Sequence, residues 1–207
     1  MNTSTATFGH DLPDPDAAPD PDPMPLLRAW VPTDTGELRP LMTLSTLDAD
    51  GRPDIRNVLL SSVDADGVCF HTDLTTRKAA QLAADPRVAL AVVWPDAGRQ
   101  VTVQGDARRT TPQEDAAAFA ARSRYLQLLA WVNTPELAAL PTAQRRERWA
   151  RFAAEHPPGS LTPPSTWIGF RVVPVRVTFW RGDADGPSNR VEHRRGPDGW
   201  HVTRLPG

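Results

Sequence analysis

Four consecutive polar residues, Thr75, Thr76, Arg77 and Lys78, stand at the predicted start of a short helix. A helix N-terminus presents backbone N–H groups without intrahelical partners and the positive end of the helix dipole. With the added cations Arg77 and Lys78, this helix start could bind a phosphate. A capped helix that faces solvent is the alternative, because the same residue types are common at ordinary helix starts. The strands around this helix bear on that choice.

Composition limits the class of protein. The 207 residues, 40% of them hydrophobic and 23% charged, are enough for one domain with a sizeable core. A net charge of -2 and a pI near 6.2 give no global electrostatic reason to expect a nucleic acid or a membrane as partner. The single cysteine, Cys69, excludes an internal disulfide and a cysteine-based zinc site, and no metal site is predicted. With neither a signal-peptide pattern nor eighteen consecutive apolar residues, the sequence predicts a soluble cytoplasmic protein.

The first 23 residues are rich in Asp, Pro, Ala and Thr and bury too little apolar surface to offset their ordering entropy. We therefore predict a flexible acidic leader over 1–23 and a single folded domain over 24–207. The folded part is predicted to begin with a short amphipathic helix from Met24 to Val31.

The apolar runs that follow have the lengths and alternation of strands, separated by turns such as Asp-Ala-Asp-Gly. Val88 to Trp94 is almost continuously apolar, which predicts a strand covered on both faces. Between Pro112 and Ala154 the pattern is helical and fits two or three helices. The predicted strands are Leu41 to Leu47, Ile55 to Val63, Val68 to Thr72, Val88 to Trp94, Gln100 to Ala107, Trp167 to Phe170, Val172 to Trp180, Asn189 to Arg194 and Gly199 to Leu205.

Many strands, one helical insert and no βαβ alternation predict a mainly β fold with helices (α+β). Its expected core is an antiparallel barrel of six to eight strands with a helical insert. The chain has no GxGxxG or GxxxxGK[ST] loop, which disfavours dinucleotide-binding and P-loop folds.

An ordered series of short motifs resembles the pyridoxamine 5'-phosphate oxidase family, whose members are flavin mononucleotide (FMN) proteins with a split antiparallel barrel. The series covers about Asp22 to the C-terminus. It includes Arg56-Asn57-Val58-Leu59-Leu60, Phe70 with Thr72, Arg77-Lys78, Arg99-Gln100-Val101, Phe179-Trp180, Asn189-Arg190 and the terminal Gly-Trp-His-Val-Thr-Arg-Leu-Pro-Gly.

The resemblance implies FMN as cofactor and a homodimer with FMN at the subunit interface. Arg190 would place a cation near the flavin ring, and Arg77 with Lys78 would bind its phosphate. The positions that match the cofactor site are Arg56, Asn57, Val58, Leu59, Ser61, His71, Thr72, Arg77, Lys78, Gln100, Trp180 and Arg190.

The substrate side departs from the family pattern. Ser61 stands in the Leu60-Ser61-Ser62 run where the enzymes that form pyridoxal phosphate carry a lysine that contacts the substrate phosphate. Of three further phosphate ligands on the insert only Arg122 is kept. An Arg-Leu-His triplet that touches the substrate is replaced by residues 186–188, which end in Ser188, and a Gln-Ser pair by Pro135-Glu136. Arg122, Arg124 and Ser188 are the predicted substrate-facing residues, and no general base is assigned.

Three functions fit these residues. The first is an FMN-dependent oxidase acting on CH-NH or CH-CH bonds of a small organic substrate other than a vitamin B6 compound, in secondary-metabolite biosynthesis. The second is an ordinary pyridoxal 5'-phosphate synthase, and the third is a non-catalytic flavin-binding protein. In the first two, the flavin carries out the redox step and the protein supplies position and electrostatics.

Overall fold

The computed structural model describes residues 14–15, 20–31 and 40–207. Most of the predicted leader, residues 1–13 and 16–19, lies outside these residues. The strands are β1 (Leu41–Leu47), β2 (Pro53–Val63), β3 (Val68–Asp73), β4 (Arg87–Trp94), β5 (Arg99–Arg109), β6 (Trp167–Arg181), β7 (Asn189–Gly196) and β8 (Gly199–Pro206). The helices are α1 (Met24–Trp30), α2 (Arg77–Ala84), α3 (Pro112–Ala120), α4 (Arg124–Val132), α5 (Pro135–Ala138) and α6 (Thr142–Glu155), with one 3₁₀ turn at Pro95–Ala97.

Six of the strands close into an antiparallel barrel. Their order is β3-β2-β1-β4-β5-β6, and β3 also pairs with β6, which closes the ring; β7 and β8 continue the sheet beyond β6. Closure pairs the outer strands of the ring, β3 and β6, with each other, whereas β8 forms the edge of the extended sheet. The predicted mainly β fold with a split antiparallel barrel is confirmed.

Tight turns with aspartate and glycine set the register of the first hairpin. Asp48 Oδ1 accepts hydrogen bonds from the backbone N–H groups of Asp50 and Arg52 at 3.0 and 2.8 Å. Gly51 has φ +77°, a conformation that only glycine adopts without strain. The turn therefore pairs Leu47 with Pro53 and carries the register along β1 and β2.

The chain divides into two compact units. The barrel unit comprises the described residues of Met1–Phe70, Gln81–Arg108 and Phe170–Gly207. Its core is apolar: Leu44, Phe70 and Phe179 are fully buried, and Trp30 of α1 meets the Phe179 ring edge-on at 5.1 Å between centroids.

The helical unit comprises His71–Ala80 and Arg109–Gly169. Thr111 and Glu114 form a capping box that begins α3 after β5. The prediction of two or three helices over this stretch is wrong, because the described chain forms four, α3 to α6. Proline at the first turn of α5 and at the N-cap of α6 accounts for the extra boundaries.

Two strand predictions also need correction. The apolar runs on either side of Arg171 form one strand, β6, because Arg171 stays extended and its guanidinium binds Asp64 at 2.8 Å. β4 is not covered on both faces in the single chain: Val88, Leu90 and Val92 are buried, whereas Val93 is 56% exposed. The apolar sequence of β4 therefore did not reveal which face of the strand packs against the barrel core.

Candidate functional site

The start of α2 gathers hydroxyl and ammonium groups within the helical unit. Lys78 Nζ donates to Thr72 Oγ1 at 3.0 Å, and Thr72 Oγ1 lies 3.3 Å from Thr76 Oγ1. Thr72 is only 8% exposed although it is polar. The first turn of the helix reads Arg77-Lys78-Ala79-Ala80, so it adds two cations and no carboxylate. This arrangement suits an anion, since both the helix dipole and the side chains favour negative charge.

Asp73 shapes the turn that leads into this cluster. Its Oδ1 accepts hydrogen bonds from Thr75 N and Thr75 Oγ1 at 2.7 and 2.5 Å, and its Oδ2 accepts one from Thr166 Oγ1 at 2.5 Å. Burial raises the pKa of Asp73, but the hydrogen bonds from Thr166 and Thr75 and the charge of Lys78 together hold the pKa below its usual value of 3.8. An ionised Asp73 therefore fixes residues 73–76 at the head of α2.

Arg56 is held by a separate polar network in the barrel unit. Its guanidinium donates to Thr46 Oγ1 at 2.5 Å and to Gln81 Oε1 at 2.8 Å, and it pairs with Asp54 at 2.7 Å. Gln81 in turn accepts from Thr46 and donates to Asp54. The Arg56 charge is thus oriented and partly offset by protein groups; its contact with the cofactor phosphate stays a prediction.

Strand β2 changes register where Ser61 stands. The pairing with β3 shifts between Leu60 and Ser62, so Leu60 and Ser61 are both buried. A bulge of this kind re-aims the side chains around it. On the same strand Val58 is buried, Leu59 is half-buried, and Asn57 Oδ1 accepts a hydrogen bond from Thr43 Oγ1. Ser61 therefore places a small hydroxyl, not a long cation, at this buried position.

The remaining predicted cofactor residues of the barrel unit lie on three strands. Gln100 on β5 is half-buried and is paired with Val93 of β4. Trp180 on β6 and Arg190 on β7 are direct partners in the antiparallel register. Antiparallel partners project from the same face of a sheet, so the Trp180 ring and the Arg190 cation are neighbours, and their contact with the flavin stays a prediction. Ser188 precedes β7 in the connection from β6.

His71 belongs to a buried polar cluster of the helical unit. Its ring stacks on Trp167 with 5.2 Å between centroids and 10° between planes, and its Nε2 lies 3.4 Å from Asp115 Oδ1. Thr110 Oγ1 donates to the same carboxylate oxygen at 2.5 Å. Successive strand residues point to opposite faces, so His71 and Thr72 project from different faces of β3. The contact of His71 with the cofactor remains a prediction, and its ring is held by Trp167 and Asp115.

The two arginines predicted to face the substrate differ in their surroundings. The Arg122 guanidinium lies over the Trp167 ring at 5.0 Å from its centroid, and Arg122 is only 8% exposed. Arg124 donates to the backbone carbonyl groups of Ala153 and His156 at the C-terminal end of α6. Cations at a helix C-terminus stabilise the helix, so Arg124 has a structural task at the end of α6.

Sequence reasoning missed Asp73, Gln81 and Asp115. Asp73 could have been found, because an Asp two residues before a Thr at a helix start is the usual pattern of a side chain that hydrogen-bonds its own turn. Gln81 and Asp115 each sit on a helix among alanines and gave no such signal. Their role depends on partners brought together by the fold, from residues such as Thr46, 35 positions away.

The residues present fit a phosphate-bearing cofactor: two hydroxyls, an ammonium and a helix N-terminus meet at one point of the helical unit. A closed six-stranded barrel in a chain that also has this anion-binding helix start fits the class of flavin-binding split barrels. Two family models match the chain: "Pyridoxamine 5'-phosphate oxidase" over residues 34–179 and "Pyridoxine 5'-phosphate oxidase C-terminal dimerisation region" over residues 167–206. The chain belongs to the pyridoxamine 5'-phosphate oxidase family.

Relatives and solved structures agree with this assignment. A pyridoxine/pyridoxamine 5'-phosphate oxidase of Streptomyces avermitilis is 40% identical over 166 residues, covering 79% of this chain and 74% of the relative. One from Thermobifida fusca is 37% identical, covering 89% and 88%. PhzG from Burkholderia lata, solved with tetrahydrophenazine-1-carboxylic acid, has a TM-score of 0.82 at 25% identity and covers 95% of this chain and 98% of its own.

A more distant structure shares the fold. An FMN-binding protein of Nostoc punctiforme, 20% identical, has a TM-score of 0.66 and covers 81% of this chain and 88% of its own. In the described part of the chain, none of the helices is long and apolar enough to span a membrane. No cluster of three or more His, Cys, Asp or Glu side chains suited to a metal ion occurs among the described residues either.

Proposed function

We propose that this protein is an FMN-dependent oxidase that acts as a cytoplasmic homodimer on a small organic substrate other than a vitamin B6 phosphate. The observation that carries the proposal is the contrast between two positions. The cation and hydroxyl groups expected for the cofactor phosphate meet at the start of α2, whereas buried Ser61 occupies the position where a substrate-binding lysine is expected.

The residues predicted to hold the cofactor have separate tasks. Lys78, Thr72 and Thr76 would bind the phosphate of FMN, and Asp73 holds the turn that presents them. When bound, FMN supplies a two-electron acceptor for a hydride from carbon. Arg190, beside Trp180, would place a fixed positive charge where the reduced cofactor carries negative charge. The homodimer is supported by the match of residues 167–206 to a dimerisation region.

The proposed class of substrate depends on how many phosphate-binding residues the substrate side retains. Each charge-assisted hydrogen bond to a phosphate contributes about 1.5–3 kcal/mol, so losing two weakens binding by roughly a hundredfold or more. The chain lacks the lysine at position 61 and has Ala118 and Leu126 at two further ligand positions. Arg122 is kept, and its burial against Trp167 would strengthen an interaction with one acidic group. The likeness to PhzG, which was solved with tetrahydrophenazine-1-carboxylic acid, supports a carboxylic acid as the kind of substrate. A role in secondary-metabolite biosynthesis is part of the same proposal.

A second candidate function is favoured by the curated relatives. Those 34–40% identical to the chain are named pyridoxine/pyridoxamine 5'-phosphate oxidases. If this chain has the same activity, it must bind the substrate phosphate with Arg122 and groups other than the lysine.

Anaerobic reduction of the FMN-loaded protein separates these functions. Pyridoxamine 5'-phosphate and pyridoxine 5'-phosphate are compared with dihydroaromatic carboxylic acids, and flavin bleaching is followed by absorbance. We expect an acid to bleach the flavin and the two vitamers to do so at least a hundredfold more slowly. Rapid bleaching by pyridoxamine 5'-phosphate would establish the second candidate. Bleaching by dithionite alone across the panel would favour a non-catalytic flavin-binding protein.

A further inference from the structure

A polar pocket of about 400 Å³ lies at the turn between β6 and β7 in the barrel unit. Arg181, Ser188, Asn189, Asp183 and Asp14 contribute to its wall. Arg181 and Asn189 are the last partners of the β6–β7 ladder, so the strand register fixes Arg181 beside the segment that contains Ser188. The pocket therefore combines one strand-anchored cation with two carboxylates and with uncharged hydrogen-bonding groups.

A carboxylate of the chain itself is bound to this cation. Asp14 Oδ2 lies 2.8 Å from Arg181 Nη1, and the two side chains are 38% and 39% exposed. Asp14 is 167 residues from Arg181 in sequence and comes from the acidic stretch that precedes α1. A half-exposed ion pair between distant parts of a chain is weak, since solvent screens it and two flexible side chains must be ordered. The ion pair itself therefore opposes replacement of Asp14 by another carboxylate only modestly.

A second arginine lies close enough to Arg181 for their charges to interact. Arg99 is buried, and its guanidinium lies over the Trp30 ring at 5.1 Å from the centroid. Burial lowers the pKa of Arg99, the charge of Arg181 lowers it further, and Asp14 acts in the opposite direction. Arg99 and Arg181 thus both interact with the Asp14 carboxylate. Its removal would leave two positive charges that repel each other.

We propose that Arg181 forms an anion subsite for the carboxylate of an organic acid, with Asp14 as the internal carboxylate that the ligand displaces. Asp14 is a singly charged carboxylate bound to Arg181, so this guanidinium already binds the chemical group that we assign to the ligand. Asp183 also lines the pocket, so a dianionic phosphate would meet a second negative charge that a carboxylate meets with less repulsion. Ser188 and Asn189 offer hydrogen bonds to the rest of the ligand.

The subsite makes Arg181 a specificity-determining residue, and that role in turnover rests on the oxidase function proposed above. It extends that function, because Arg122 of the helical unit is the cation expected from the family pattern and Arg181 is not. Binding of a carboxylate to Arg181 can be measured without turnover, so the two proposals can fail separately.

The test is binding of benzoate to the full-length protein by calorimetry at low ionic strength, with and without FMN. Benzamide, which has the same shape and no charge, serves as the control ligand. The variants are Arg181→Gln, Asp14→Asn and the control Arg176→Gln. Arg176 lies on the same strand with similar exposure and pairs with Glu192 at 3.7 Å, away from the pocket.

We expect benzoate to bind the parent protein and benzamide to bind at least tenfold more weakly. Arg181→Gln should weaken benzoate binding at least tenfold, Asp14→Asn should strengthen it severalfold, and Arg176→Gln should leave it unchanged. Equal benzoate affinity in Arg181→Gln and Arg176→Gln would overturn the subsite, as would the absence of benzoate binding to the parent and Asp14→Asn proteins. Should Arg181→Gln fail to fold, unchanged benzoate affinity in Asp14→Asn would overturn it alone. FMN uptake and reduction, measured on the same proteins, report on the oxidase proposal independently.

Discussion

Lys78 Nζ donates a 3.0 Å hydrogen bond to Thr72 Oγ1 and thereby joins the first turn of α2 to the end of β3. Lys78 is also the only lysine in the chain. Because Asp73 fixes the intervening turn through Thr75 and Thr166, the ammonium group and the hydroxyl are held together before any ligand binds. Preorganised donors bind an anion with less loss of side-chain entropy than mobile ones.

Replacing Lys78 with Met should therefore weaken FMN binding. The variant keeps the apolar stem and removes one charge-assisted hydrogen bond, worth about 1.5–3 kcal/mol, so the Kd should rise roughly ten- to hundredfold. Fluorescence titration of the apoprotein with FMN measures it. Arg87→Gln is the control, because Arg87 is an exposed cation already paired with Asp85. Similar Kd values for the two variants would contradict the assignment of Lys78 to the phosphate.

Because the sequence contains a single lysine, the predicted contact of Lys78 with the FMN phosphate can be checked directly. Reductive methylation with ¹³C-labelled formaldehyde keeps the charge of Lys78 and gives one lysine side-chain NMR signal. That signal should shift on addition of FMN and be unaffected by riboflavin, which has no phosphate. An equal shift of the signal with riboflavin would contradict a contact between Lys78 and the FMN phosphate.

The barrel could be predicted from local patterns, and its helical insert only in part. Apolar runs, their alternation and the Asp-Gly turns located the first five barrel strands, because strand period and turn chemistry are properties of neighbouring residues. The break in β6 was misjudged since charged Arg171 reads as an interruption until its partner Asp64, 107 residues away, is known. Alanine-rich helices likewise carry few signals for where one ends and the next begins.

The candidate site was predictable where residues adjoin in sequence and not where the fold assembles them. Lys78 and Thr72 lie six positions apart, so their proximity could be inferred, and their common role at the phosphate stays a prediction from the family resemblance. The bond from Arg56 to Gln81 spans 25 positions, and the bond from Thr166 to Asp73 spans 93. Contacts of that separation depend on strand pairing and leave no periodic trace in the sequence.

Arg122 and Arg124 should respond differently to replacement by alanine. Arg122→Ala should raise the KM for an acidic substrate about tenfold or more, because it removes a buried cation over Trp167. Arg124→Ala should leave KM unchanged and lower the thermal midpoint by a few degrees, since it frees the carbonyl groups of Ala153 and His156. Steady-state kinetics and calorimetry on both variants provide the comparison. An unchanged KM in Arg122→Ala would remove this arginine from the substrate site.

Gly105 is required by a close approach of two strands. A Cβ atom at this position would lie 2.2 Å from the Val173 carbonyl oxygen and 3.1 Å from Pro174 Cα, and backbone atoms cannot move aside as a flexible side chain can. Gly105→Ala should therefore destabilise the protein by about 1–3 kcal/mol or more. The matched control is Gly186→Ala, where the nearest atom is 3.6 Å away and the contact is ordinary. Urea unfolding should separate the two variants; equal unfolding midpoints would show that β5 and β6 can adjust.

Asp73 should make stability depend on pH in the acid range. Its pKa in the folded protein is lowered, because hydrogen bonds from Thr166 and Thr75 and the charge of Lys78 outweigh the effect of burial, which raises it. A lowered folded pKa stabilises the protein above the unfolded value, near 3.8, and this contribution disappears as the pH falls through the folded pKa.

Asp73→Asn removes the titrating group while keeping its size. The difference in unfolding free energy between parent and variant should be constant from pH 7 to about 5 and should shrink as the pH falls below about 4. Urea unfolding followed by tryptophan fluorescence between pH 3 and pH 7, run on both proteins, measures that difference; a gap that stays constant or widens toward pH 3 would mean that another carboxylate controls acid stability.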